Sequence, residues 1–236
     1  MRISQVLFSQ GFGTRRDCAG LIHAGAVEVA GRVIDDPDEE LPTEGLVFSV
    51  QGRGWPFHEK ALVLLHKPTH YECSQKPRHH PGVLSLLPTP LRVRGLQPVG
   101  RLDEDTTGAL LLTDDGTLIH RLTSPKHHVP KVYDITAKHP LADEQVARLT
   151  EGVVLDDDPS PVRAAAAERT GEFTLRLTLT EGKYHQVKRM LAAVGNRCEG
   201  LHRSRIGALD LDDLPVGQWR WIGPDERARL TQKSDA

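Results

Sequence analysis

Gly100-Arg101-Leu102-Asp103-Glu104-Asp105-Thr106-Thr107-Gly108-Ala109-Leu110-Leu111-Leu112-Thr113-Asp114-Asp115-Gly116 is the stretch on which the reading of this chain turns. An arginine and an aspartate flank Leu102, and a polar turn follows. Ala109-Leu110-Leu111-Leu112 is then an unbroken apolar run, which fits a short strand buried on both faces. Asp115-Gly116 favours a tight turn, because both residues tolerate positive φ. Asp103 is therefore predicted in a loop held from one side by a rigid strand, a place suited to a catalytic carboxylate. Read without its neighbours it is a turn former, or half of an Asp103–Asp105 metal-binding pair.

Working outward, Ala61–Leu65 is a second apolar run that ends at His66-Lys67-Pro68. Proline closes regular pairing, so Lys67 is predicted at a strand end. On the other side, Gly116–Leu122 reads as a short helix stopped by Thr123-Ser124-Pro125. The adjacent His127 and His128 lack a third ligand at metal spacing and point to opposite sides in an extended chain. Val132–Ala137 alternates as a strand, with Tyr133 near its start. Leu141–Leu149 carries apolar residues at helical spacing. Strands are predicted at 152–155 and 162–168, separated by an acidic turn at 156–159. Phe173–Thr180 alternates with period two, as in a half-buried strand. Glu181-Gly182-Lys183-Tyr184-His185-Gln186-Val187-Lys188-Arg189-Met190-Leu191 then turns into a helix whose buried face is Val187, Met190, Leu191 and Val194, with Gly195 ending it. Lys188 lies beside that face near the helix start. Leu201–Gly207 follows, and Gln218–Ile222 is the last predicted strand. Neighbouring strands joined by turns favour an α+β fold with a mixed, mainly antiparallel sheet over repeated βαβ units.

The first 51 residues read as a separate module. Ile3, Val6 and Leu7 recur at helical spacing up to Gly11-Phe12-Gly13. Thr14 can cap a second helix, Arg15–His23, which Gly25 closes. Short strands follow near Val27–Val33 and at 45–50. Residues 52–58, rich in Gly and Pro, are expected to be a linker, which leaves 59–236 as the larger domain.

With 38% hydrophobic residues and a mean hydropathy of −0.39, the chain suits a globular protein of the cytoplasm. It lacks the apolar run of a membrane span and a signal-peptide core. Its three cysteines form neither a disulfide framework nor a zinc pattern. The net charge of −2 argues against wholesale polyanion binding. The distribution is uneven: residues 1–50 hold four arginines against eight acids, whereas residues 181–205 hold six Lys/Arg against two Glu.

The Gly-Arg-Leu-Asp-x-Asp-Thr-x-Gly string closely resembles the central motif of the pseudouridine synthases, in the RsuA-type branch. The resemblance continues through Lys67-Pro68, Lys131-x-Tyr133, the Gln186-Val187-Lys188 stretch and Leu201–Gly207. His66 and His70 depart from the usual Asn-Lys-Pro-x-Gly of the first motif. The resemblance implies an S4-type RNA-binding domain (1–51) and a two-lobed synthase domain (59–236). It implies isomerisation of uridine in ribosomal RNA, at uridine 516 of 16S rRNA, by a monomer needing no cofactor and no metal. The alternatives are a synthase for large-subunit rRNA and a non-catalytic RNA-binding assembly factor on the same scaffold. It further implies that Asp103 is the catalytic carboxylate, that Lys188 pairs with it, and that Tyr133 stacks on the target base. Arg101, Arg15, Arg16, Lys67, Arg189, Arg203 and Arg205 are the expected RNA-binding residues, with Lys67 given a positioning role.

Overall fold

The computed structural model describes residues 1–156 and 158–231. The chain divides into two compact units.

The first comprises Met1–Ala61 together with Leu84–Gln97. Helix α1 (Ile3–Ser9) buries Ile3, Val6 and Leu7, and α2 (Arg15–His23) buries Cys18 and Ile22. The predicted cap is present. Thr14 Oγ1 accepts from the Asp17 amide at 3.2 Å, and Asp17 Oδ2 accepts from the Thr14 amide at 2.8 Å, a reciprocal capping box. Strands β1 (Val27–Val29), β2 (Arg32–Val33), β3 (Val47–Val50) and β4 (Arg53–Pro56) form an antiparallel sheet in the order β2-β1-β3-β4. The expected linker at 52–58 is thus corrected. Gln51 (φ +51°) and Gly52 (φ +75°) form a two-residue hairpin turn, and β4 pairs along β3 with Val50 opposite Arg53. Trp55 on β4 is buried against the Phe12 ring, centroids 5.3 Å apart.

The domain boundary shifts for a second reason. Residues 84–97, read from sequence as part of the larger domain, belong to this unit. They include α3 (Thr89–Val93). Arg94 donates to Gln10 Oε1 at 2.7 Å, to the His58 carbonyl at 2.8 Å and to the Glu59 carbonyl at 3.0 Å.

The second unit comprises Leu62–Val83 and the described residues from Pro98 onward. Its strands are β5 (Leu62–Lys67), β6 (Gln97–Pro98), β7 (Thr107–Thr113), β8 (Lys131–Ala137), β9 (Val153–Leu155), β10 (Asp158–Val162), β11 (Ala166–Arg169), β12 (Thr174–Leu179), β13 (Cys198–Ile206), β14 (Leu209–Asp210) and β15 (Trp219–Trp221). Its helices are α4 (Gly116–Thr123), α5 (Asp143–Glu151), α6 (Gln186–Ala193) and α7 (Pro224–Thr231). The main sheet runs β11-β12-β8-β13-β7-β5-β15, antiparallel except where β7 meets β13. The acidic turn expected at 156–159 includes residue 157, outside the described residues. From Asp158 the chain is already paired with β9, and the strand predicted over 162–168 is divided between β10 and β11.

Strand β7 is the predicted leucine strand, and it is buried from Gly108 to Thr113. Hydrophobic packing gathers in two clusters. One joins Ile135, Leu149, Leu177, Met190 and Leu191, under α5 and α6. The other joins Leu62, Leu111, Leu118, Ile222 and Leu230, under α4 and α7. At the join, β13 crosses β7 closely. Gly108 has φ +114°, and a Cβ there would lie 2.2 Å from the Arg203 carbonyl oxygen. Only glycine fits such an approach. No helix among the described residues is long and apolar enough to cross a membrane.

Candidate active site

The loop that carries Asp103 is fixed from behind by Lys67. The end of β5 points this side chain into the protein, where it is 0% exposed. Its ammonium group donates to the carbonyls of Asp103 (2.9 Å), Thr106 (2.9 Å), Pro68 (3.0 Å) and Glu104 (3.2 Å). Three N–H bonds are shared among four acceptors. Burial pulls the ammonium below its ordinary pKa, against the pull of nearby acidic groups. Lys67 is therefore corrected as an RNA-binding residue: it does not reach solvent, and it holds the loop instead. His70 takes the left-handed conformation (φ +61°) that a glycine would take at this position, and its amide donates to Glu104 O at 2.8 Å. Histidine adopts this region more readily than bulkier residues do.

At the front of the loop, the Asp103 carboxylate lies between Lys188, in the first turn of α6, and His185, the residue that precedes the helix. Lys188 Nζ is 3.1 Å from Oδ2, and His185 Nε2 is 3.2 Å from Oδ1. His185 is turned toward Asp103 by a left-handed backbone (φ +48°) just before the helix begins. The turn before them is held by the buried Gln186, which accepts from the Lys183 amide and donates to Glu181 Oε1, both at 2.8 Å. Lys188 also binds Asp105 Oδ1 at 2.7 Å and Oδ2 at 2.9 Å. Burial works against the charge on Lys188, but its bonds to Asp105 and Asp103 prevail and raise its pKa. Burial likewise opposes the charge on Asp105, and the Lys188 bond outweighs it, so the carboxyl is lowered. The sequence reading missed Asp105 as the second partner of Lys188, and missed His185. The Asp-x-Asp spacing was the available signal for the first.

A cleft of about 410 Å³ opens beside this cluster, lined among others by Arg101, Asp103, Lys131, Tyr133, Lys188 and Arg203. Its size suits one pyrimidine nucleoside. Tyr133 stands on β8 between Leu177 of β12 and Arg203 of β13. Arg203 is 4% exposed, and its Nε donates to the Ala109 carbonyl at 2.8 Å. Its Nη2 is buried without a partner. Arg203 thus stands in the wall of the cleft, with little surface of its own. Burial, and then the charge of Arg203, pull the Lys131 ammonium down to about 8. Tyr184, 74% exposed, stacks on His185 with centroids 3.8 Å apart.

The remaining predicted RNA-binding residues lie in different settings. Arg101 is exposed at the cleft mouth. Arg189 donates to the Tyr184 carbonyl at 3.1 Å. Arg205 is outside the cleft and pairs with Asp210 at 2.6 Å. Arg15 and Arg16 are exposed at the start of α2.

Comparison with known proteins fits this geometry. Residues 61–193 match the RNA pseudouridylate synthase family, and residues 1–47 match the S4 domain. The chain therefore belongs to the RNA pseudouridylate synthase family, and it is an enzyme of the RsuA type with an N-terminal S4 domain. It is 39% identical to ribosomal small subunit pseudouridine synthase A of Salmonella typhimurium (strain LT2), over 98% of this chain and 100% of that protein. The Yersinia pestis protein of the same name is 40% identical, over 98% of each. A crystal structure of a pseudouridylate synthase superposes with a TM-score of 0.70 at 34% identity, covering 98% of this chain and 99% of the other.

Proposed function

We propose that this enzyme converts a uridine of small-subunit ribosomal RNA to pseudouridine, with uridine 516 of 16S rRNA as the target. The observation that carries the reading is the Asp103 carboxylate, held at 3.1 Å from Lys188 and 3.2 Å from His185 at the edge of a cleft sized for one nucleoside. Full-length similarity to small-subunit synthases supports the choice of substrate.

In this reading the target uridine leaves its stack and enters the cleft, which costs least in unpaired RNA. Arg101 occupies the space it vacates. Tyr133 packs its ring on the base and is the group placed to move a proton at the base. Lys188 pairs with the Asp103 carboxylate, which takes part in breaking the N-glycosidic bond. The base turns and rejoins through C5. Arg15 and Arg16 at the start of α2 meet RNA phosphate.

The test is pseudouridine mapping by chemical labelling and reverse transcription. Unmodified small-subunit RNA, alone and with ribosomal proteins, is treated with wild type and with Asp103→Asn. One new stop, at position 516 and absent with Asp103→Asn, is the expected result. A stop on large-subunit RNA alone would overturn the substrate, and a stop that survives Asp103→Asn would overturn the site.

A further inference from the structure

Two cations on the sheet side of the cleft are not used by the chemistry so far assigned. Lys131 and Arg203 both line it. They lie on adjacent strands, with Ile206 opposite Lys131 and Arg203 opposite Tyr133. Among the described residues neither pairs with a carboxylate. Other cations on this sheet do: Arg176 binds Asp134 at 2.8 Å, and Arg205 binds Asp210 at 2.6 Å. Two acids line the cleft, Asp103 and Glu181. Asp103 is engaged by Lys188 and His185, and Glu181 by Gln186. Arg203 is 4% exposed with Nη2 unpartnered, an arrangement that costs stability unless an acceptor arrives.

We propose that Lys131 and Arg203 form a cation pair that takes up the negative charge of the pyrimidine base while it is detached from the ribose. The proposal rests on reading the cleft as the uridine site. When the N1–C1′ bond breaks, its electron pair stays on the base, which becomes an anion with charge spread over N1, O2 and O4. This holds whether Asp103 attacks C1′ or a sugar proton is removed. Forming the C5–C1′ bond returns an electron pair to the ribose; on the first route the Asp103–C1′ bond breaks and the carboxylate is released, and on the second the sugar regains the proton it gave up. The C5 proton then leaves and N1 gains one, so the step is neutral overall and involves no redox change. A fixed cation pair favours this intermediate over the neutral substrate. A backbone phosphate is the other anion within reach. Side-chain exposure falls from 28% at Asp103 and 27% at Lys188 to 4% for Arg203 as a residue. Arg203 therefore lies deeper than Asp103 and Lys188, where a base rather than the RNA backbone would reach it, and the half-buried Lys131 joins it from the adjacent strand.

The probe is barbiturate, a pyrimidine ionised at neutral pH, compared with neutral uracil by calorimetry on the full chain. Wild type is expected to bind barbiturate at least about 10-fold more tightly than uracil. Lys131→Gln is expected to lose that preference while keeping its uracil affinity, which also shows that the cleft is intact. Its kcat should fall about 100-fold at unchanged KM, and Lys131→Arg should restore much of it. Asp103→Asn should abolish isomerisation yet keep the preference. Equal binding of the two probes, a preference that survives Lys131→Gln, or displacement of barbiturate by inorganic phosphate would overturn the cation-pair role. Isomerisation that survives Asp103→Asn would instead overturn the reading of the cleft.

Discussion

At the start of α2, Arg15 and Arg16 stand in solvent, and Arg15 lies over the face of Phe8, 5.5 Å from the ring centroid. Around the cleft of the larger unit, Lys67 and Arg203 are buried and donate to main-chain carbonyls, Arg203 through Nε alone, while Lys188 joins two carboxylates. The same residue types thus do opposite work. Exposed cations add little to stability and remain available to phosphate. Buried ones fix backbone, and removing them leaves carbonyls without donors. A net charge of −2 is then no obstacle to an RNA enzyme, because the cations that count are counted by place.

The contrast is broken most severely at Gly108. A methyl group there would meet the Arg203 main chain at 2.2 Å, on a backbone of φ +114°. Gly108→Ala should cost roughly 4 kcal/mol or more, read as a fall in the urea midpoint. Lys67→Met comes next. It strips the Asp103 loop of its internal donor and should lose roughly 3 kcal/mol together with most of kcat. A variant of normal stability would mean that the buried ammonium is dispensable. Lys188 lies between the two extremes, half-buried and paired. Lys188→Gln should lower kcat about 100-fold and change stability by under about 1 kcal/mol. Asp105→Asn, which leaves Lys188 to Asp103 alone, should lower kcat less than about 10-fold. The smallest effects belong to Arg15→Ala and Arg16→Ala. Each should leave kcat unchanged, weaken RNA binding and reduce the salt slope of affinity by about one. An unchanged slope would show that the exposed pair does not meet RNA.

The elements read most securely were those whose signal is local. Thr14 marked the start of α2, the leucine run marked β7, and the period of two marked β12. The two-residue turn at Gln51-Gly52 was misread because a Gly-rich stretch signals a hairpin or a linker equally until its partner strand is known. Residues 84–97 were misplaced because the groups that Arg94 binds lie 35 to 84 positions away.

Within the site, Asp103, Tyr133, Lys188 and Arg101 were legible as motif residues, and the structure gathers all four around one cleft. The second contact of Lys188 was not, since Asp105 is 83 positions distant. Sequence alone determined most helices and strands and pointed to Asp103, Tyr133 and Lys188 as candidate site residues, because caps, turns, hydrophobic periods and motifs act over a few residues. Only the tertiary structure decided which cations stand in solvent and which hold the protein together. That depends on burial, and burial is set where β5, β7, β8 and β13 meet.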